Sequence, residues 1–123
     1  MQASLRISSK DLNPDTVSEL LNSPPTESHR EGDMWTGNSG VQYEAGTGLW
    51  KLDADHHQTL ETQIEGLTKI MCNAPENWLS ELGSPKCILL IEVEDEESLL
   101  SLSSLDLKQL GAAGASLEIE LPH

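Results

Sequence analysis

Phenylalanine is absent from this chain of 123 residues, and one tyrosine and three tryptophans supply its aromatic rings. The core has to be built largely from aliphatic residues. The Leu, Ile and Val positions do fall in short periodic blocks, the pattern of a packed core and not of a disordered chain. Basic residues are scarce as well: seven Lys and Arg stand against 21 Asp and Glu, for a formal charge of −14. A field of that sign repels phosphate backbones and anionic lipid, which argues against direct nucleic-acid or membrane-surface binding and favours a basic partner. Long apolar runs are missing too. None approaches the ~20 residues that span a bilayer, and Met1 to Lys10 lacks a charged segment followed by a long apolar one, so the expected location is cytoplasmic. Cysteine is limited to Cys72 and Cys87, without CxxC spacing and each within an apolar segment, which predicts two buried thiols and no disulfide or redox pair.

Signatures of chemistry are equally sparse. No GxSxG elbow marks a serine as a nucleophile. Gly46-Thr47-Gly48 lacks the following Lys and Ser or Thr of a phosphate-binding loop, and Leu49-Trp50 open a strand where such a loop opens a helix. His56 and His57 are adjacent, so an extended chain turns them to different sides, and no further His or Cys stands at HxxxH-type spacing; they read as a solvated turn before a helix. The run Glu92, Glu94, Asp95, Glu96, Glu97 has the charge to hold a hard cation but lacks the Gly-centred loop and alternating oxygen ligands of a calcium site. The sequence therefore predicts no catalytic residue, no metal site and no cofactor.

What the chain does contain is a succession of half-buried segments. Ala3, Leu5 and Ile7 alternate with Ser4, Arg6 and Ser8, the period of a strand with one buried face. Asn13, Pro14 and Asp15 supply an N-cap, a residue pre-set for the first helical turn and an acid at the positive end of the helix dipole. Val17, Leu20 and Leu21 give that helix an apolar face, and Pro24-Pro25 stop it near Asn22. Residues 26–33 read as a polar edge strand, 34–47 as a Gly-rich loop holding Trp35 and Tyr43, and 49–53 as a short strand with Leu49 and Trp50 on opposite faces. Leu60, Ile64, Leu67 and Met71 recur at helical spacing from a start near Thr59, and Trp78, Leu79 and Leu82 mark a short turn of helix closed by Gly83 and Pro85. The nearly continuous apolar run 87–93 predicts a central strand buried on both faces. Asp95 to Glu97 lead to a short helix capped by Ser104 and bearing Leu107 and Leu110, which ends between Gly111 and Gly114. In a last strand Leu117, Ile119 and Leu121 alternate with Ser116, Glu118 and Glu120. This order predicts a single α+β domain on the ferredoxin-like split βαβ plan, a mostly antiparallel sheet with helices packed on one face.

The strand periods also place charge. Where Leu89, Ile91 and Val93 turn inward, Glu92 and Glu94 turn outward, as Glu118 and Glu120 do on the last strand, so four carboxylates share one sheet face. Crowded like charges call for a counter-charge, from Arg6 on the first strand, from a basic partner or from the neighbouring chain of an oligomer. Trp35 and Tyr43 are the candidate apolar anchors, whereas Trp50, lying in a strand, belongs to the core. The candidate partner-binding residues are therefore Trp35, Tyr43, Glu92, Glu94, Glu118 and Glu120.

Taken in order, Ala3-Ser4-Leu5-Arg6-Ile7, Leu12-Asn13-Pro14-Asp15-Thr16-Val17, Pro25-Thr26, Gly32-Asp33 and Gly48-Leu49-Trp50-Lys51-Leu52 resemble the bacterial family known as domain of unknown function 4279. Leu107, Leu110, Gly114-Ala115-Ser116-Leu117 and Glu118-Ile119 resemble its closing helix and strand. Order and spacing carry the resemblance over nearly the whole chain, since the single dipeptides are common. It implies a compact bacterial cytosolic domain and transfers no catalytic residue. By class, small acidic bacterial domains of this kind are similar to the immunity proteins encoded beside polymorphic toxins. The expected function is non-catalytic: an immunity-type inhibitor that binds and neutralises a cognate toxin, or another basic protein, through an acidic surface. The alternative is a small-molecule sensing or regulatory module using the cleft between the Gly-rich loop and the helices.

Overall fold

A computed structural model describes residues 1–37, 39–94 and 102–121; Asp95, Glu96 and Glu97 of the acidic run lie outside the described residues. Alternation builds the first strand, β1 (Gln2–Ser9), and buries Ala3, Leu5 and Ile7 completely. Asn13 caps α1 (Pro14–Leu21): its Oδ1 accepts the Asp15 N–H at 3.0 Å. Asn22, left-handed at φ 51°, ends this helix ahead of the two prolines. There follow β2 (Glu27–His29), β3 (Met34–Thr36), β4 (Gln42–Glu44), β5 (Gly48–Asp53), α2 (Leu60–Cys72), α3 (Trp78–Glu81), β6 (Lys86–Glu92), α4 (Ser104–Ala113) and β7 (Ser116–Glu120).

The strands form a five-stranded sheet in the order β2-β5-β1-β6-β7 and a separate hairpin, β3-β4. Within the larger sheet β2-β5, β5-β1 and β1-β6 are antiparallel, while β6-β7, joined through α4, is parallel. The fold is thus α+β with a mixed sheet, and β7 is a fifth strand outside a four-stranded split βαβ plan. Register sets the faces. Ile7 lies between Trp50 and Cys87, Leu5 between Leu52 and Leu89, and Ala3 beside Ile91. These side chains form one apolar layer with Val17 and Leu21 of α1, Ile64 and Met71 of α2, Trp78 of α3 and Leu110 of α4. Each large side chain in that layer contributes about 1.5–3 kcal/mol relative to exposure, which holds the helices to this face.

Three details differ from the sequence reading. Segment 34–47 is not a loop throughout but contains the β3-β4 hairpin, extended by the Gly32 N–H to the Ala45 carbonyl and the Ala45 N–H to the Asp33 carbonyl, both 2.8 Å. β4 is exposed along its length, so no apolar alternation announces it. The cap of α4 is Ser103, one residue earlier than expected, with its Oγ accepting the Asp106 N–H at 3.0 Å. The helix also continues through Gly111 to Gly114, where φ is 82° and a Cβ would lie 2.7 Å from Leu79 Cδ1. The third concerns the cysteines.

Cys87, on β6, is buried as expected, but Cys72, the last residue of α2, is exposed. Burial pushes the Cys87 thiol from its ordinary 9.0 up to about 12. A folded-state value raised in this way contributes stability below pH 9, which is lost progressively as the pH climbs towards about 12. At neutral pH a thiol-alkylating reagent is expected to modify Cys72 in the native protein and both cysteines after unfolding, read by mass spectrometry. Native-state labelling of Cys87 at the rate of Cys72 would show that β6 is not the buried strand.

Candidate interaction surface

The alternation that sends Ala3, Leu5 and Ile7 to the helices sends Ser4, Arg6 and Ser8 to the other face of the sheet. On that open face Arg6 lies between Lys51 of β5 and Ile88 of β6, with Glu27 of β2 beyond Lys51. One row along, Ser4 lies between Asp53 and Leu90, with Glu118 of β7 beyond Leu90. In the next row Glu92 sits between Gln2 and Glu120. The open face therefore has a cationic centre with acidic flanks.

Register brings Glu92, Glu118 and Glu120 together at the β7 end of this face, Glu92 and Glu120 as direct neighbours. Glu94 is exposed but lies past the end of β6, beyond Val93, whose N–H donates to the Glu120 carbonyl at 2.9 Å. Arg6 is not their counter-charge: among the described residues it makes no ion pair, and its neighbours in register are Lys51 and Ile88. The other face of β7 is apolar and incompletely covered, with Ile119 45% exposed and Leu121, just past the end of the strand, 67%; Leu107, on the adjacent α4, is 49% exposed. Sequence periodicity predicted these residues as inward. The reason for the difference is that β7 ends the sheet order among the described residues, and an edge strand has a neighbour on one side only.

Trp35 and Tyr43 do come together, as opposed residues of the β3-β4 hairpin. Tyr43 is 43% exposed and its ring lies over Gly37, where a Cβ would be 2.8 Å from Cε2. The hairpin follows β2, and Met34 shares a groove of about 520 Å³ with Glu27, Ser28, His29 and Asp33. The aromatic pair thus belongs to the β2 side and the carboxylates to the β7 side, so the expected single surface is two. A second groove, about 490 Å³, runs between α2 and α4, where Glu61, Glu65 and Asp106 surround Lys69 and the exposed Leu105.

The two histidines do not diverge. Asp55, His56 and His57 bring their donor atoms within 4.8 Å of one another, and the imidazole centroids are 4.0 Å apart. A turn closed by the His57 N–H donating to Asp55 Oδ1 replaces the extended geometry on which alternation rests. All three side chains are exposed.

The family model described as Domain of unknown function (DUF4279) matches residues 1–122. The chain belongs to that family. No curated protein and no solved structure matches it. The residues that carry the DUF4279 resemblance have identifiable structural roles. Asn13 caps α1, and the Thr26 N–H donates to the Lys51 carbonyl at 2.8 Å while its Oγ1 accepts the Asp53 N–H at 2.9 Å. Gly48 lies so close to the chain leaving β1 that a Cβ would stand 2.8 Å from Leu12 Cβ and 2.9 Å from the Leu12 carbonyl oxygen.

What sequence reasoning missed in this DUF4279 domain is a set of unsatisfied polar atoms on the open face. Ser4 Oγ, Arg6 Nε, His29 Nδ1 and Asp53 Oδ1 are shielded from solvent and lack hydrogen-bond partners among the described residues. Asp53 Oδ1 does lie 3.4 Å from Lys51 Nζ, an ion pair without hydrogen-bond geometry. Each such orphan costs about 1–3 kcal/mol, so four on one sheet face is a concentration that asks for a reason. The outward period of Ser4, Arg6 and Lys51 was legible, but their adjacency depends on the β1-β5 register.

Proposed function

We propose that this DUF4279 domain is a non-catalytic protein-binding module that receives a basic protein along β7, and that its role is immunity-type inhibition of a toxin with a basic active site. One juxtaposition carries the reading: the carboxylates of Glu92, Glu118 and Glu120 line one side of an edge strand whose other side exposes Ile119 and Leu121. Charge of this sign on a chain carrying −14 overall steers a basic partner into encounter, and the apolar residues, once desolvated, hold it. Among the described residues the outer edge of β7 pairs with no strand, which adds backbone donors and acceptors to which an incoming strand can pair. Trp35 and Tyr43, on the β2 side, form a separate contact point.

The test begins with capture from host lysate on tagged wild-type protein and on the Ile119→Asp/Leu121→Asp variant. Wild type is expected to retain one stoichiometric basic protein through high salt, and the variant to lose it. With that protein in hand, Glu92→Gln/Glu118→Gln/Glu120→Gln is expected to slow association by roughly tenfold at low salt and to flatten its salt dependence. Retention unaffected by the Asp variant, or an unchanged on-rate in the Gln variant, sinks the assignment of β7.

A further inference from the structure

We infer that the open face of the sheet holds an oxyanion-binding site, centred on Arg6 and Ser4 of β1 with Lys51 of β5, which takes the carboxylate or phosphate group of a small molecule. The starting observation is the isolation of Arg6. Three of the seven cations form ion pairs, Arg30 with Asp15 at 3.1 Å, Lys51 with Asp53 at 3.4 Å and Lys10 with Glu31 at 3.9 Å; of the four that form none among the described residues, Lys69, Lys86 and Lys108 are exposed to water. Arg6 is half-buried in the middle of the sheet, its Nε shielded from water, and it has no acceptor among the described residues.

A second, independent observation lies two residues away on the same strand and face. Ser4 is 0% exposed and its Oγ has no partner among the described residues. The two side chains are separated by about 7 Å of strand, a span that a small ligand bridges. Directly opposite Arg6 in register stands Lys51, and two like charges so placed repel unless an anion lies between them. Asp53 is engaged with Lys51, which leaves the guanidinium uncompensated. A guanidinium fork, an ammonium and a hydroxyl together form a donor set complementary to an oxyanion, the fork matching the planar geometry of a carboxylate or two oxygens of a phosphate.

The surroundings limit the size of the ligand. Ile88 and Leu90, 8% and 6% exposed, flank Arg6 and Ser4 on the β6 side and keep water away, which strengthens the electrostatic attraction. Glu27 beyond Lys51, Glu118 beyond Leu90 and Asp53 beside Ser4 put negative charge around the site, so a polyanion is repelled at its margins and a compact oxyanion is seated towards Arg6, away from the Asp53 carboxylate that Lys51 partly neutralises. The site does not depend on docking at β7.

Amide resonances of the ¹⁵N-labelled protein, followed while inorganic phosphate and acetate are titrated separately against chloride at matched ionic strength, test the inference. Saturable shifts are expected at Ser4, Arg6 and Lys51, and the anion that saturates at the lower concentration identifies the group preferred. Arg6→Gln is expected to weaken that binding by roughly tenfold or more. Lys108→Gln, which removes an exposed cation from α4 on the opposite side of the sheet, is expected to leave it unchanged. Should Arg6→Gln fail to fold, Ser4→Ala serves in its place and is expected to weaken binding by several-fold. Absence of saturable shifts with both anions, or binding by the folded Arg6→Gln or Ser4→Ala variant equal to wild type, overturns the site.

Discussion

Replacing Trp50 with alanine is expected to destabilise the fold by about 3–5 kcal/mol, the usual range for removing a large aromatic from a core. Trp50 is fully buried and faces Ile7 across the β5-β1 ladder, on the side of the sheet that carries the helices. Its Nε1–H donates to Ser18 Oγ at 3.0 Å, so the ring joins α1 to β5 by packing and by a hydrogen bond. With no Phe in the chain and one Tyr, no other aromatic on this face of β5 is available to fill the cavity. Urea denaturation should show a lower midpoint at unchanged slope, and Tm should fall by roughly 10–20 °C for a domain of this size. Ser18→Ala, which removes only the acceptor, is expected to cost about 1 kcal/mol, so the pair of variants divides packing from hydrogen bonding. A loss below about 1 kcal/mol for Trp50→Ala would mean that α1 does not pack on β5 as described.

Much of this architecture was written in local pattern. The strict alternation of β1, the Asn13-Pro14-Asp15 cap and the Leu60-Ile64-Leu67-Met71 stripe each depend on nearest neighbours in sequence, and the structure places each of these elements as expected. The β3-β4 hairpin escaped because β4 is exposed along its length, so its sequence has no hydrophobic period to read. Ile119 and Leu121 follow a proper strand period yet remain exposed, because burial depends on what covers a strand and, among the described residues, β7 has no neighbour beyond it in the sheet. Registry explains the rest. Glu92 and Glu120 were readable as outward-facing, but only the parallel β6-β7 pairing makes them neighbours, and only the β1-β5 pairing sets Arg6 against Lys51. The residues that mark the DUF4279 family, Asn13, Thr26, Gly48 and Trp50 among them, serve as a cap, a turn, a close approach and a core side chain. That is why the family resemblance carries the fold and not a chemistry.

Gln63 is expected to be the most sensitive polar position in the molecule, with Gln63→Leu costing about 2–4 kcal/mol from orphaned backbone groups and lost hydrogen bonds. The side chain is 1% exposed although it sits among the apolar residues of α2. Its Oε1 accepts the Ala3 N–H at 2.8 Å, and its Nε2 donates to the carbonyls of Met1 at 3.1 Å and Gln58 at 3.0 Å. The reason lies in β1. The Ala3 carbonyl accepts the Ala54 N–H at 3.0 Å, just past the end of β5, and the Ala3 N–H points to the same side, where the strand has run out. The Gln63 amide takes the place of the missing strand. Gln63→Glu separates this account from a packing effect by the sign of its pH dependence. A protonated Glu resembles Gln, whereas a carboxylate would face two carbonyl oxygens without water, so its folded-state pKa must rise above the ordinary value near ~4.3. Stability relative to wild type is then retained below about pH 4 and lost as pH rises through the raised folded-state value, the direction required when the unfolded state releases its proton first. Urea titrations of both proteins at several pH values would show the gap widening towards neutrality; a gap independent of pH would place the Gln63 side chain in water and remove it from the role of backbone substitute.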